Sequence, residues 1–406
     1  VKGLSKIQIF IRTETAIKGY KFHITLKNFT FVNTKLHTMK FVTALLLLFA
    51  LNMNAQDNYN LLIGTYTNEC DSKGIYIYDF NTSSGQGKLR NTTTSKVINP
   101  SFLSVSPDKK YVYSVNEDGD KSSVSAFKYF SGVGTLDFMN KKDSKGADPC
   151  HIINDDKNII VANYSGGSIE VFAKKADGSI GDSKQLIKHS GGSINQDRQK
   201  SAHVHMVHFS PDMKYVFVND LGTDKIYIYN YNPLGGDKVL TLKETVSAVP
   251  GSGPRHLVFN PNGIFFYVLH ELDGAIVAYS FENGKLGKLQ ETTVVAEGFT
   301  GVTGAADIHF SNDGKFLYAT DRGDANTITT FRVHSNGLVN KVQQISTGGI
   351  APRNFAIDPK DNFLLVANQK SNAIMILKRD KTTGMLEDTG NRIEVCAPVC
   401  LVFTKK

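Results

Sequence analysis

Residues 254–271 read PRHLVFNPNGIFFYVLHE, which is a proline, an apolar alternating run, an Asn-Pro-Asn-Gly turn, a second apolar run and a closing polar pair. Alternation on either side of a Gly/Asn/Pro turn is the signature of a β-hairpin. The same eighteen-residue unit recurs as PSFLSVSPDKKYVYSVNE (100–117) and PRNFAIDPKDNFLLVANQ (352–369), and without the proline as VHMVHFSPDMKYVFVNDL (204–221) and AADIHFSNDGKFLYATDR (305–322). PCHIINDDKNIIVANY (149–164) follows with a turn two residues shorter, and a seventh copy from Pro398 stops after its first strand.

The copies start at 100, 149, 204, 254, 305, 352 and 398, at intervals of 49, 55, 50, 51, 47 and 46 residues. An interval of that length holds about four short strands, and seven such units predict an all-β, seven-bladed β-propeller. The composition agrees, with 25 Phe, 16 Tyr and 35 Gly and no Trp. Three residues after each start stand Leu103, Ile152, Val207, Leu257, Ile308, Phe355 and Leu401. Two further on, only Asn154 interrupts an apolar set. Period-2 spacing puts both sets on the face that packs against the next blade. The unpaired N-terminal run Asn60–Tyr66 is expected to pair with the seventh copy, closing the ring and removing open edges.

The formal charge of +8 does not point to nucleic acid, because residues 1–56 hold eight Lys/Arg against Glu14 and the remainder carries about +1. From Met39, MKFVTALLLLFALNMNAQ has the layout of a secretory signal peptide over 39–55, with cleavage after Ala55. Its apolar run is shorter than the ~20 residues of a membrane span. Residues 1–38 read as upstream translation and 57–406 as the propeller domain, periplasmic or secreted, with no stable membrane insertion after cleavage. The alternative is a cytoplasmic protein with no working signal. Cys70, Cys150, Cys396 and Cys400 form no CxxC pair, and free, partly buried thiols are expected. Self-association is not legible.

In a hairpin the start of one strand lies beside the end of the next. The residue after each start (Ser101, Cys150, His205, Arg255, Ala306, Arg353, Val399) and the closing pairs therefore gather at one mouth of the channel. Several blades contributing different polar groups to one mouth is how a site is built on a repeat. His203 and His205 share a strand face, but no third-ligand signature accompanies them and no metal is expected. His208 and His309 are expected to be packed strand residues, and His151 and His256 are ambiguous.

With LLIGTYT (61–67), SAHVHMVHFSPD (201–212), DLGTDKIYIY (220–229), GPRHLVF (253–259) and HELDG (270–274), the chain resembles the bacterial lactonase family of seven-bladed propellers across residues 58–404. That family includes the propeller type of 6-phosphogluconolactonase and is related in fold to carboxymuconate lactonising enzymes. The resemblance implies a cofactor-free hydrolase opening a small-molecule, sugar-derived lactone, most specifically 6-phosphogluconolactone to 6-phosphogluconate, or an unphosphorylated aldonolactone if the protein is exported, with His205, Arg255, Glu271 and Arg322 at the catalytic centre. Glu271 or His205 would serve as base or acid, and the arginines would hold an oxyanion or an anionic substituent. His203, Arg353, Asn116, Glu117, Asn163 and Asp220 are the expected substrate-binding residues. A cycloisomerase of a muconate-like diacid, or a non-catalytic propeller binding a sugar acid or a protein, would use the same ring of groups.

Overall fold

A computed structural model describes residues 57–93, 97–282 and 284–406. The proposed upstream segment and signal peptide lie outside them. The described residues form seven four-stranded antiparallel sheets and one 3-10 turn, Gln369–Ser371. The first strands of blades 1 to 7 are Leu103–Val105, Pro149–Asn154, Val204–Phe209, Pro254–Phe259, Ala305–Phe310, Pro352–Ile357 and Pro398–Thr404. Each touches the first strand of the next blade and the seventh returns to the first, so they line the axis of a closed ring.

The expected closure is present. Asn58–Thr65 sits in blade 7 between Pro398–Thr404 and Tyr76–Asn81, antiparallel to both, pairing Asn60 with Thr404 and Ile63 with Leu401. Contrary to the expectation of free thiols, Cys70 and Cys396 form a disulfide across this blade, with Cα atoms 6.0 Å apart. Spacing could not show it, because 326 residues separate two loops that only ring closure brings together. Cys150 and Cys400 remain free and buried.

The core is seven apolar clusters, each shared by two neighbouring blades. The residues three after each start are all buried there, from Leu103 to Leu401. Asn154, the polar interruption, reaches across to blade 1, where its Nδ2 donates to Ser104 Oγ at 2.8 Å and to the Val105 carbonyl. Buried tyrosines add further ties: Tyr113, Tyr267 and Tyr318 donate their hydroxyls to the carbonyls of Gly178, Gly337 and Gly384 in the outer hairpin of the next blade. At the face away from the mouth, Ser106–Asp108, Ser210–Asp212 and Ser311–Asp313 make one repeated turn in which the serine hydroxyl donates to the aspartate two residues on.

Candidate active site

The mouth owes its chemistry to an irregularity repeated around the ring. In blades 2, 3, 4, 6 and 7 the ladder pairs the starting residue with the end of its partner strand and then skips one residue. The skipped residues are Cys150, His205, Arg255, Arg353 and Val399; in blade 5 the ladder skips both Ala306 and Asp307. Such a β-bulge leaves a residue unpaired and re-aims its side chain. Here strict alternation breaks, and residues one and two after the start both reach the axis. The channel is lined by Ser101, Phe102, Cys150, His205, Arg255, His256, Arg353, Asn354 and Val399. His256, ambiguous by periodicity, is thereby a channel residue, and His151 packs beside it with ring centroids 5.7 Å apart.

On one side of the mouth, three guanidinium groups converge on Glu271. Arg255 Nε lies 2.9 Å and Arg322 2.8 Å from Oε2, while Arg198 lies 2.5 Å from Oε1. Arg255 also donates to the Ala306 carbonyl. Glu271 and Arg255 are 3% and 2% exposed, so the pair has lost its water and depends on its own charges. Burial alone would raise the Glu271 carboxyl, but Arg322, Arg255 and Arg198 outweigh it and hold it down at about 2. Burial and the neighbouring Arg322 lower Arg255 to about 9, which leaves it charged at neutral pH.

The other side is built differently. Glu117 accepts hydrogen bonds from the Tyr66 hydroxyl, 3.0 and 3.1 Å from its two oxygens, and from Ser101 Oγ. Burial raises its carboxyl above the usual glutamate range, against the opposing pull of Arg353, Ser101 and Tyr66. The Arg353 guanidinium stands over the Tyr66 ring at 5.4 Å, a cation–π geometry. Among the described residues it makes no ion pair, in contrast to the three arginines on Glu271.

His205 lies between the two sides. Its Nδ1 is 3.8 Å from Cys150 Sγ, and its ring packs edge-on against Tyr164 and His256. Burial and the charges of Arg255, Arg353 and Arg322 push it well below the ordinary histidine value, so the imidazole is neutral. His203 stacks on the same Tyr164 ring at 4.5 Å, and its Nδ1 meets the Tyr164 carbonyl. Both histidines of the HVH stretch thus meet at Tyr164. No group of three His, Cys, Asp or Glu able to hold a metal ion occurs among the described residues.

This constellation sits on a chain whose residues 60–403 match the family model described as Lactonase, 7-bladed beta-propeller. The chain belongs to this family. It is 39% identical over 335 residues to a 6-phosphogluconolactonase of Formosa agariphila, covering 80% of this chain and 94% of that protein. It is 32% identical over 349 residues to the 6-phosphogluconolactonase of Bacillus subtilis, covering 84% and 97%. Among solved structures, the periplasmic gluconolactonase of Pseudomonas aeruginosa superposes with a TM-score of 0.82 at 36% identity, covering 86% of this chain and 99% of that one. The chain is accordingly a lactone hydrolase, a carboxylic ester hydrolase by reaction class.

The expected catalytic residues His205, Arg255, Glu271 and Arg322 are brought together at the mouth, with Arg353 and Glu117 beside them. Asn116, Asn163 and Asp220, also expected as substrate ligands, have their side chains engaged outside this cluster. All three are buried, and their side chains hold the loops that lead into the blades. Asn116 Nδ2 donates to the Ile98 carbonyl and Asn163 Nδ2 to the Ser144 carbonyl. Asp220 Oδ1 accepts the backbone N–H groups of His203, Gly222 and Thr223, and its Oδ2 lies 2.8 Å from His189 Nδ1. In the pairs Asn116–Glu117 and Asp220–Leu221 the first residue anchors a loop, and Glu117 and Glu271, second in their pairs, meet the side chains that line the mouth. His208 packs on Phe259 and His309 on Phe355, and His309 Nε2 also meets Asp307 Oδ2 at 2.9 Å.

Arg198 was missed because its loop belongs to no repeat. The one available signal was the interval of 55 residues between the second and third copies, the longest of all although that copy has the shortest turn.

Proposed function

We propose that the chain opens a sugar-derived lactone at this mouth, with water as the nucleophile. The observation that supports it best is Arg353, a guanidinium free of any acceptor side chain among the described residues, lining a channel with a neutral imidazole, while the lining residues Ser101 and Arg255 hold the carboxylates of Glu117 and Glu271. A planar array of N–H donors at the position where a carbonyl oxygen gains charge stabilises the tetrahedral intermediate. His205, whose second proton burial and the surrounding arginines disfavour, offers a hydrogen bond to the sugar ring. Glu271 fixes Arg255, Arg322 and Arg198 in one arrangement, and the more exposed Arg198 and Arg322 edge the mouth where an anionic substituent would lie.

Two substrates fit, 6-phosphogluconolactone and its unphosphorylated counterpart. The Cys70–Cys396 disulfide favours the second, because disulfides persist in oxidising compartments outside the cytosol. The signal-like stretch before Ala55 and the periplasmic gluconolactonase among the relatives support the same periplasmic or secreted location. The test is acid release from glucono-δ-lactone and from 6-phosphogluconolactone, each measured against spontaneous hydrolysis in buffer. Faster opening of the free lactone is the expected result; acceleration of neither would sink the proposal. Fractionation with sequencing of the mature N-terminus checks the location.

A further inference from the structure

Lactone hydrolysis moves one proton twice: off the attacking water, then onto the ring oxygen as it leaves. A group that does this must be able to exist both with and without the proton near neutral pH. The channel offers three candidates. Glu271 has both oxygens occupied by three guanidinium groups, and protonating it would break the clamp. His205 is buried among Arg255, Arg353 and Arg322, which oppose an imidazolium. Glu117 differs from both, since its oxygens are met by neutral hydroxyls, from Tyr66 and Ser101, and by no guanidinium within ion-pair distance.

Resting on the lactonase reading above, the geometry points to Glu117 as the proton-transfer residue of this enzyme, with Arg353 beside it as the oxyanion holder and the Glu271 cluster as a fixed clamp. Glu117 follows the second strand of blade 1, and Ser101, its hydroxyl partner, lines the channel together with Arg353, Cys150 and His205. Two carboxylates whose surroundings drive them in opposite directions are the usual basis for dividing acid–base from purely electrostatic work. Glu271 is held ionised, whereas burial favours the neutral form of Glu117 and the adjacent Arg353 favours the charged one. The groups acting on Glu117 come from every side of its pocket: Tyr66 from blade 7, Ser101 from its own blade, Arg353 from blade 6, and the more distant Asp148 and Cys150 from blade 2.

The step balances. As the water oxygen bonds the carbonyl carbon, its proton passes to the Glu117 carboxylate and the carbonyl π pair becomes an oxyanion facing Arg353. Collapse breaks the bond from that carbon to the ring oxygen, and Glu117 returns the proton to the leaving alkoxide. The acid released then loses its own proton to solvent.

The experiment is steady-state kinetics of the purified protein on glucono-δ-lactone, above the buffer rate, from acid to neutral pH. Glu117→Gln, which keeps an oxygen for both hydroxyl donors, is expected to lower kcat by about 100-fold or more. KM should stay nearly unchanged and the acid limb of the profile should vanish. Tyr66→Phe removes a hydrogen bond that favours the carboxylate, so in this variant the acid limb should move to higher pH. A Glu117→Gln protein that turns over at the wild-type rate, or a Tyr66→Phe profile with an unmoved limb, overturns the assignment while leaving the lactonase reading intact. A wild-type protein no faster than buffer on this lactone defeats the substrate reading itself.

Discussion

The two faces of the ring are made from the same repeat and behave oppositely. At the far face, Ser106–Asp108, Ser210–Asp212 and Ser311–Asp313 carry out one task with one chemistry. At the mouth, equivalent positions hold Ser101, Cys150, His205, Arg255, Ala306, Arg353 and Val399, no two neighbours alike. Turns are far apart and face solvent separately, so a good solution can be repeated. The mouth lies on the axis, where all blades share one small volume. Seven copies of one charged group there would repel, so the blades supply a mixture of groups. The β-bulge is what lets a residue leave the regular alternation of its strand without disturbing the apolar positions beyond it.

This contrast can be broken most severely at Glu271. Replacing it by Gln leaves Arg255, Arg322 and Arg198 without their shared anion, and removing one partner of a buried pair costs about 3–5 kcal/mol. Urea denaturation should show a loss of that size, with activity falling at least as steeply. The pH dependence follows from the depressed carboxyl. Because the folded pKa of about 2 lies below the ordinary 4.5, the stabilisation is complete above 4.5 and lost as pH falls towards 2. The gap between wild type and Glu271→Gln should close over that interval in parallel pH titrations of stability.

Next in size is the closure of blade 7. Cys70→Ser should cost roughly 2–5 kcal/mol in the oxidised protein, with little change in kcat. Reductant should produce the same loss in wild type and none in the variant. Tyr267→Phe should cost about 1–3 kcal/mol, since it leaves the Gly337 carbonyl without its buried donor while the apolar packing is kept. The smallest effect belongs to the repeated turn. Asp212→Ala should cost about 0.5–1.5 kcal/mol in thermal or urea unfolding and leave lactone turnover unchanged. A turn variant that lost activity, or a mouth variant that lost none, would undo the division between the faces.

Much of this molecule is legible from spacing. Strand faces follow from period-2 alternation, blade number from the seven starts, and ring closure from an orphan strand at each end of the propeller. The same reading brought Arg255, Glu271, Arg322, Arg353 and His205 to one mouth. Local sequence is silent about direction. Asn116, Asn163 and Asp220 look like Glu117 and Glu271 in the closing pairs, yet these three bind neighbouring loops while Glu117 and Glu271 meet Ser101 and Arg255 of the channel lining. Arg198 and the Cys70–Cys396 bridge come from loops outside the repeat and meet their partners across large sequence separations.

The sequence by itself thus determined the fold and the set of groups available at the mouth, because hydrophobic periodicity and turn chemistry are local properties written once per blade. Only the tertiary structure decided which of those groups are already committed. Whether a carboxylate is clamped by three guanidinium groups or met by two hydroxyls depends on residues from its own and from other blades, and that difference sets Glu271 apart from Glu117.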